Sequence, residues 1–204
     1  MIAIIDYDAG NIKSVQNALE RLGEKVVLTR KKEELFKADK IILPGVGAFG
    51  QAIDNLNKYD LPGIIKELAD AGKPLLGICL GLQLLLGSSE ESPGVKGLDI
   101  IKGHVFKMPP KDDLKIPHMG WNSLDITDRG RAGRLLNGLE KEPYVYFVHS
   151  YFARLDDRSQ VAAKCTYTCE MDVVIEAGNV FATQFHPEKS SSIGFKILKN
   201  FLDL

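Results

Sequence analysis

The chain has few cysteines, a single tryptophan, no excess of either charge and no long apolar run. Three cysteines make an odd count, which argues against a disulfide framework and points to a reducing compartment, so a cytoplasmic protein is expected. Cys165 and Cys169 stand four apart in a β-like stretch, and no second cysteine or histidine pair lies near them. They read as structural residues rather than zinc ligands. The apolar run at residues 2–5 is too short for a secretion leader and lacks a basic preface. No segment approaches membrane-spanning length. With 26 Lys and Arg against 27 Asp and Glu the net charge is −1, which removes the electrostatic case for nucleic acid or an anionic membrane. Repeats, low-complexity stretches and interdomain linkers are also missing. The 204 residues, 45% of them hydrophobic, are expected to form a single domain over residues 1–204 with a substantial core.

What is present alternates. Residues 2–7 read as a buried strand. Asn11 suits the N-cap of a helix that carries Ile12, Val15, Leu19 and Leu22 on one face and closes at Gly23. Residues 25–29 and 40–43 read as strands, the second stopped by Pro44-Gly45. Helical segments follow, the clearest beginning at Pro62 and ending at Gly72. This β-α-β rhythm predicts an α/β fold: an open, mostly parallel twisted sheet with helices on both faces. Sites in such sheets lie at the carboxyl ends of the strands, where Asp8, Gly45 to Gly47 and Cys79 all fall. The second half changes character, with strand-like runs at 98–108 and 144–153. A hairpin signal follows, with strands at 173–175 and 180–185 flanking Glu176-Ala177-Gly178-Asn179. Additional antiparallel strands are therefore expected there, and residues 193–202 read as an amphipathic helix. The segments 88–97 and 107–117 read as surface loops.

The most informative stretch is Gly77-Ile78-Cys79-Leu80-Gly81, with Pro74-Leu75-Leu76 before it and an apolar helix-compatible run, residues 82–86, after it. Strand, sharp glycine-flanked turn and helix form a nucleophile elbow, here with cysteine in the place of serine. The turn lifts the sulfur out of the fold at a helix start, where partial positive charge favours the thiolate a covalent catalyst needs. An isolated cysteine is ordinarily a small buried hydrophobe; the glycine pair at this spacing favours the nucleophile.

A nucleophilic cysteine needs an oriented base. Of the four histidines, His104, His118, His149 and His186, the last is distinguished by His186-Pro187-Glu188. Pro187 holds His186 extended, and residues two apart in an extended chain face the same way, so Glu188 is expected to reach the ring and fix its tautomer. The oxyanion is expected to meet the backbone N–H of Leu80 and a second donor from Pro44-Gly45-Val46-Gly47, at Val46 or Gly47. Gly45-Val46-Gly47-Ala48-Phe49-Gly50 also matches the dinucleotide fingerprint. That fingerprint belongs to the first strand–helix turn and needs a following ribose-binding acid, and neither condition holds. Gln83, four residues beyond Cys79, shares its helical face and is expected to meet substrate.

Gly77-Ile78-Cys79-Leu80-Gly81-Leu82-Gln83 and Gln184-Phe185-His186-Pro187-Glu188 resemble the two signatures of class I, triad-type, glutamine amidotransferases. Five further segments are narrower: Asp6-Tyr7-Asp8-Ala9-Gly10-Asn11, Leu43-Pro44-Gly45-Val46-Gly47-Ala48-Phe49, Pro117-His118-Met119-Gly120-Trp121-Asn122, Tyr146-Phe147-Val148-His149-Ser150-Tyr151 and His186-Pro187-Glu188-Lys189-Ser190. In order along nearly the whole chain, they resemble the glutaminase subunits of imidazole glycerol phosphate synthases. The resemblance implies that Cys79 attacks the side-chain amide of glutamine, that His186 moves the proton and that Glu188 orients His186. It implies glutamine binding by Gln83, Glu91, Ser150 and Tyr151. It also implies a partner, a (β/α)₈-barrel cyclase subunit in a 1:1 heterodimer, with Asn11, Tyr146 and Lys189 at the interface. That partner would use the ammonia to make imidazole glycerol phosphate and aminoimidazole carboxamide ribotide in histidine biosynthesis. No cofactor and no metal are implied.

In that family the lone glutaminase is nearly silent. A physical candidate for the silence is a Gly45–Val46 peptide whose N–H points away from the site at rest, since flanking glycines make such a flip sterically cheap. One missing oxyanion donor costs on the order of 10²–10³ in rate. Two rivals remain at this point: a stand-alone cysteine hydrolase of the same fold acting on γ-glutamyl or peptide bonds, and a non-catalytic interaction subunit. An intact Cys79, His186 and Glu188 set argues against the second.

Overall fold

A computed structural model describes every residue except Asn11 and Asp112, so the expected N-cap and interface role of Asn11 lies outside the described residues. The first half follows the alternation read from the sequence: β1 (Ile2–Ile5), α1 (Ile12–Arg21), β2 (Val26–Thr29), α2 (Lys32–Lys37), β3 (Lys40–Leu43), α3 (Phe49–Lys58), α4 (Leu61–Asp70), β4 (Leu75–Ile78) and α5 (Leu80–Leu84). The second half is strand-rich: β5 (Ser88–Ser89), β6 (Gly103–Lys107), β7 (His118–Ser123), β8 (Asp125–Ile126), α6 (Asp128–Ala132), β9 (Tyr144–His149), β10 (Tyr151–Leu155), β11 (Val161–Thr166), β12 (Glu170–Ala177), β13 (Val180–Thr183) and α7 (Ser191–Leu202).

The main sheet runs β2-β1-β3-β4-β13-β12-β10-β6-β5, with β11 and β8 branching from β12. From β2 to β13 every pairing is parallel. Beyond β13 the sheet continues antiparallel through β12, β10 and β6. The fold is thus the expected α/β sheet with antiparallel strands added in the C-terminal half. The last strand in sequence, β13, inserts beside the elbow strand β4, with Thr183 opposite Ile78. That pairing brings two distant chain segments to one site.

Each parallel strand divides its side chains between two apolar layers, as the period of two demands. Ala3, Ile5, Ile41, Leu43 and Leu75 face the layer made with α2, α3 and α4, while Ile2, Ile4, Ile42 and Leu76 face the layer made with α1 and α7. Leu35, Leu56, Ile65 and Leu68 fill the first layer from the helices; Val15, Leu19, Leu198 and Phe201 fill the second. Among the described residues no helix is long and apolar enough to cross a membrane.

Several expected boundaries shift for physical reasons. The run at 144–153 splits at Ser150, because β9 pairs only with β7 in a separate two-stranded ribbon while β10 joins the main sheet. The hairpin turn is Gly178-Asn179, with Gly178 at φ +63° and the strands extending to Ala177 and from Val180. The 98–108 run yields strand only from Gly103. Two buried carboxylates anchor the antiparallel half. Asp172 pairs with Arg158 and accepts the Leu155 N–H at 3.0 Å. Glu176 accepts the N–H groups of Arg134 at 3.1 Å and Leu135 at 2.8 Å.

The elbow leaves no space beneath it. A Cβ built on Gly81 would lie 1.9 Å from the Leu43 carbonyl oxygen of β3, a backbone atom that cannot swing away. Gly81→Ala is therefore expected to lower unfolding free energy by about 3 kcal/mol or more, overpacking at its most severe. Urea denaturation checks this, and a loss within 0.5 kcal/mol would show that α5 can move off β3.

Candidate active site

Cys79 sits between β4 and α5 at φ 55°, ψ −109°, a region that L side chains rarely occupy. Such a backbone costs of order 1–3 kcal/mol and persists only where the surroundings over-determine it. Here they do: the Cys79 N–H donates to the Thr183 carbonyl of β13 at 2.7 Å, and Gly81 is wedged on β3. The sulfur-bearing residue is left 7% exposed.

His186 follows β13, its backbone N–H bonded to the Tyr146 carbonyl at 3.1 Å. Its Nδ1 lies 2.8 Å from Glu188 Oε1. A carboxylate oxygen only accepts, so Nδ1 carries a proton and Nε2 faces the site. Nε2 makes no strict hydrogen bond and lies beside the Cys79 sulfur. Burial works against charge on the ring, but its interactions with Cys79 and with Glu188 outweigh burial and hold the His186 pKa up at about 9. The geometry differs from the expected extended segment. Only His186 is extended; Pro187–Lys189 forms a 3₁₀ turn, and that turn, not strand alternation, swings Glu188 back onto the ring. Ser190 secures the turn by donating to the His186 carbonyl at 2.7 Å and accepting the Tyr146 N–H at 3.0 Å. Sequence reasoning missed Ser190, a fully buried hydroxyl whose only signal was its place after the turn.

A cavity of about 380 Å³ opens over Cys79. Its lining includes Val46, Gly47, Cys79, Leu80, Gln83, Glu91, Ser150, Tyr151 and His186, together with Val148 and His149. Every residue expected to hold glutamine or its oxyanion thus faces one space. Glu188 stands behind His186. Tyr146 and Lys189 lie apart from it: Tyr146 points outward from β9 against Trp121 of β7, ring centroids 6.2 Å apart, and Lys189 is exposed. Exposed Met119, Trp121 and Tyr144 extend this outer ribbon face.

Three details refine the expected roles. The Gln83 amide nitrogen is already committed, to the Tyr151 carbonyl at 3.0 Å and Gln184 Oε1 at 3.2 Å, so only its oxygen is available to a ligand. One Glu91 oxygen accepts the Phe49 N–H at 2.8 Å, and Ser92 Oγ takes the Gly50 N–H at 3.0 Å. The start of α3 is therefore closed by protein groups, which leaves the glycine-rich 45–50 stretch no phosphate cradle. Finally, the Leu80 N–H donates to the Gly45 carbonyl at 3.4 Å. A trans peptide points its C=O and N–H to opposite sides, so with the Gly45 oxygen turned to Leu80, the Val46 N–H is turned away. Tyr7 fixes the preceding peptide from below, its buried hydroxyl donating to the Pro44 carbonyl at 2.6 Å. Burial and the neighbouring Cys79 push the Tyr7 phenol above its ordinary range.

The remaining histidines divide. His104 contacts Ser88 Oγ at 2.6 Å, outside the cavity lining. His118 and His149 are cross-strand partners in the β7–β9 ribbon, 5.4 Å between ring centroids. Burial lowers the His118 pKa to about 4 and the His149 pKa to about 3. Among the described residues no cluster of three or more histidine, cysteine or acidic side chains is arranged to hold a metal ion.

A cysteine on a strained elbow, a histidine beside it and a glutamate behind that, at the end of a parallel sheet, define a class I glutamine amidotransferase site. The glutamine amidotransferase class-I family model matches residues 3–204, and the chain belongs to that family. Within it, the chain is 51% identical to imidazole glycerol phosphate synthase subunit HisH of Methanocaldococcus jannaschii over 204 residues, covering 100% of both. It is 49% identical to the protein of the same name from Bacillus cereus (strain G9842), covering 98% of this chain and 93% of that one. The fold matches a crystal structure of a glutamine amidotransferase with a TM-score of 0.76 at 20% identity, over 100% of this chain and 98% of that one.

The two neutral histidines carry a pH consequence. Their folded pKa values lie below the ordinary 6.5, so the unfolded chain takes up their protons first and stability falls as pH drops below about 6.5. Between pH 6.5 and 5 the loss is on the order of 1–2 kcal/mol per ring. Urea midpoints at pH 7 and pH 5 measure it. His118→Phe, which keeps the stacking on Phe147 and Tyr167, is expected to flatten the slope; an unchanged slope assigns the acid sensitivity elsewhere.

Proposed function

We propose that this chain, working as one domain over residues 1–204, hydrolyses glutamine to glutamate and ammonia through a cysteine thioester. The observation that carries this reading is that Cys79 and His186, the latter backed by Glu188, meet at a cavity lined by the residues suited to hold glutamine. With the thiol proton already held by His186, the Cys79 thiolate adds to the side-chain amide carbon. A ring that keeps its proton up to about pH 9 holds it for delivery to the departing ammonia, and the carbon–nitrogen bond breaks to leave the thioester. Water, deprotonated by the same histidine, then releases glutamate and restores the thiol. Glu188 keeps the ring in the tautomer this requires. Glu91, with one oxygen free of Phe49, pairs the substrate ammonium; Ser150 and Tyr151 line the opposite wall with the Gln83 oxygen.

The oxyanion forms against the Leu80 N–H and the Val46 or Gly47 N–H once the Gly45–Val46 peptide turns over. At rest the Gly45 carbonyl competes for the Leu80 donor, so the isolated chain is slow. The partner that turns it over is the (β/α)₈-barrel cyclase subunit of imidazole glycerol phosphate synthase, in a 1:1 heterodimer in the cytoplasm. It consumes the ammonia to make imidazole glycerol phosphate and aminoimidazole carboxamide ribotide in histidine biosynthesis. It docks on the face carrying Tyr146 and Lys189, where exposed Met119 and Trp121 offer apolar area and Val46, 37% exposed, lies within reach of the site.

Glutamate release from glutamine, with and without the cyclase and its nucleotide ligand, tests this, with Cys79→Ala as the blank. Low turnover alone, a rise on the order of 10²–10³ with both additions and none in the variant are expected. Equal turnover in every mixture would identify a stand-alone hydrolase. In the stimulated complex, kcat/KM is expected to fall above about pH 9, where His186 loses its proton. Glu188→Gln removes the negative charge that holds that proton, so the alkaline limb moves to lower pH; a limb that stays in place excludes Glu188 as the partner of His186.

A further inference from the structure

Gln184 is fully buried between the end of β13 and His186. It stands in the bend that joins β13 to His186. Its backbone N–H donates to the Val173 carbonyl at 2.9 Å, which leaves the side-chain amide to be accounted for.

The polarity of that amide follows from a group that can only accept. The Tyr151 carbonyl receives His149 Nδ1 at 2.8 Å and Gln83 Nε2 at 3.0 Å. Gln83 must therefore turn its NH₂ to this carbonyl, and the same nitrogen donates to Gln184 Oε1 at 3.2 Å. With its oxygen so occupied, Gln184 carries its NH₂ on the opposite side, and that nitrogen lies 3.9 Å from Cys79 Sγ. Each amide orientation is forced by its neighbour. Gln184 is fully buried and outside the cavity lining, so its amide depends on these protein partners.

We propose that Gln184 is a further catalytic residue, whose side-chain amide donates an N–H to the Cys79 sulfur, holding its rotamer and stabilising the negative charge it carries before attack. The inference rests on the reading of Cys79 as the nucleophile. The other groups around the sulfur leave this task open. His186 approaches from the turn after β13 and is backed by Glu188. Tyr7, below, spends its hydroxyl on the Pro44 carbonyl. Glu91, across the cavity, is an acceptor. His149 directs its proton to Tyr151. Gln184 thus supplies a neutral donor to the sulfur in addition to the histidine. Such a donor favours the anion without offering a proton that could be lost to it.

The test compares the full chain, Gln184→Met and Gln83→Met. Alkylation of Cys79 by iodoacetamide is followed by peptide mass spectrometry without glutamine, and glutamine hydrolysis is followed in the cyclase complex. Gln184→Met keeps the length of the side chain and removes the donor. It is expected to slow alkylation about tenfold and kcat by at least as much, with KM unchanged within about twofold. Gln83→Met frees the Gln184 amide to rotate, so alkylation slows by a smaller factor while KM rises. Wild-type alkylation and kcat in Gln184→Met overturn the proposal, as does a raised KM with unchanged alkylation, which makes Gln184 a packing residue behind Gln83. If Gln184→Met does not fold by thermal melting, wild-type alkylation in Gln83→Met overturns it instead. A wild-type chain whose Cys79 neither alkylates nor supports hydrolysis sinks the nucleophile reading itself, a result distinct from these.

Discussion

The left-handed backbone of Cys79 is the constraint on which the rest of the site depends. A non-glycine residue holds φ 55° only because three strands fix it. β4 delivers the chain, β13 takes the Cys79 N–H through Thr183, and β3 presses its Leu43 carbonyl where any side chain at position 81 would have to stand. The same three strands carry the other components. The oxyanion segment leaves the end of β3, and Gln184 and His186 leave the end of β13. Parallel pairing without a slip, Ile42 to Leu76 and Leu76 to Phe181, therefore sets the catalytic distances. The strain at Cys79 is offset by the apolar layers on both faces of the sheet rather than by anything in the turn.

Electrostatics at the site shows one residue type driven in opposite directions by its neighbours. His186, buried but flanked by a carboxylate and a thiol, keeps its proton up to about 9. His149, buried with a backbone carbonyl and other histidines around it, is neutral down to about 3. The two rings serve different ends. One stores a proton at the reacting atoms, and the other supplies a fixed donor to the Tyr151 carbonyl from which the Gln83–Gln184 relay starts. A cationic His149 would stand near cationic His186 and be repelled by it.

Much of this was legible in the chain. The β-α-β rhythm from residue 2 to residue 86 reads directly, because buried parallel strands are short apolar runs and their helices carry one apolar face. The glycines around Cys79 marked the elbow, since a close approach leaves a compositional trace. The antiparallel half was less readable. The break at Ser150 and the strands β8 and β11 depend on which partner each segment finds across more than ten residues of chain, and no local pattern encodes that choice. Contacts to Glu188 were anticipated but by the wrong geometry, because proline permits either an extended segment or a 3₁₀ turn. Gln184 and Ser190 stood in the quoted segments without a role for a further reason: a buried amide or hydroxyl reveals its role only through the partners that surround it. The face on which Gln83 stands was visible; that its NH₂ was already occupied was not.

The bond from the Leu80 N–H to the Gly45 carbonyl joins main chain to main chain. No substitution at position 45 removes the carbonyl, and at position 80 only proline would remove the N–H. A change at Val46 alters what projects from that loop but leaves the competing oxygen in place. A hold of this kind depends on where the loop and the elbow stand, not on what either displays. The residues around the mouth of the cavity can therefore vary without touching either partner of the bond.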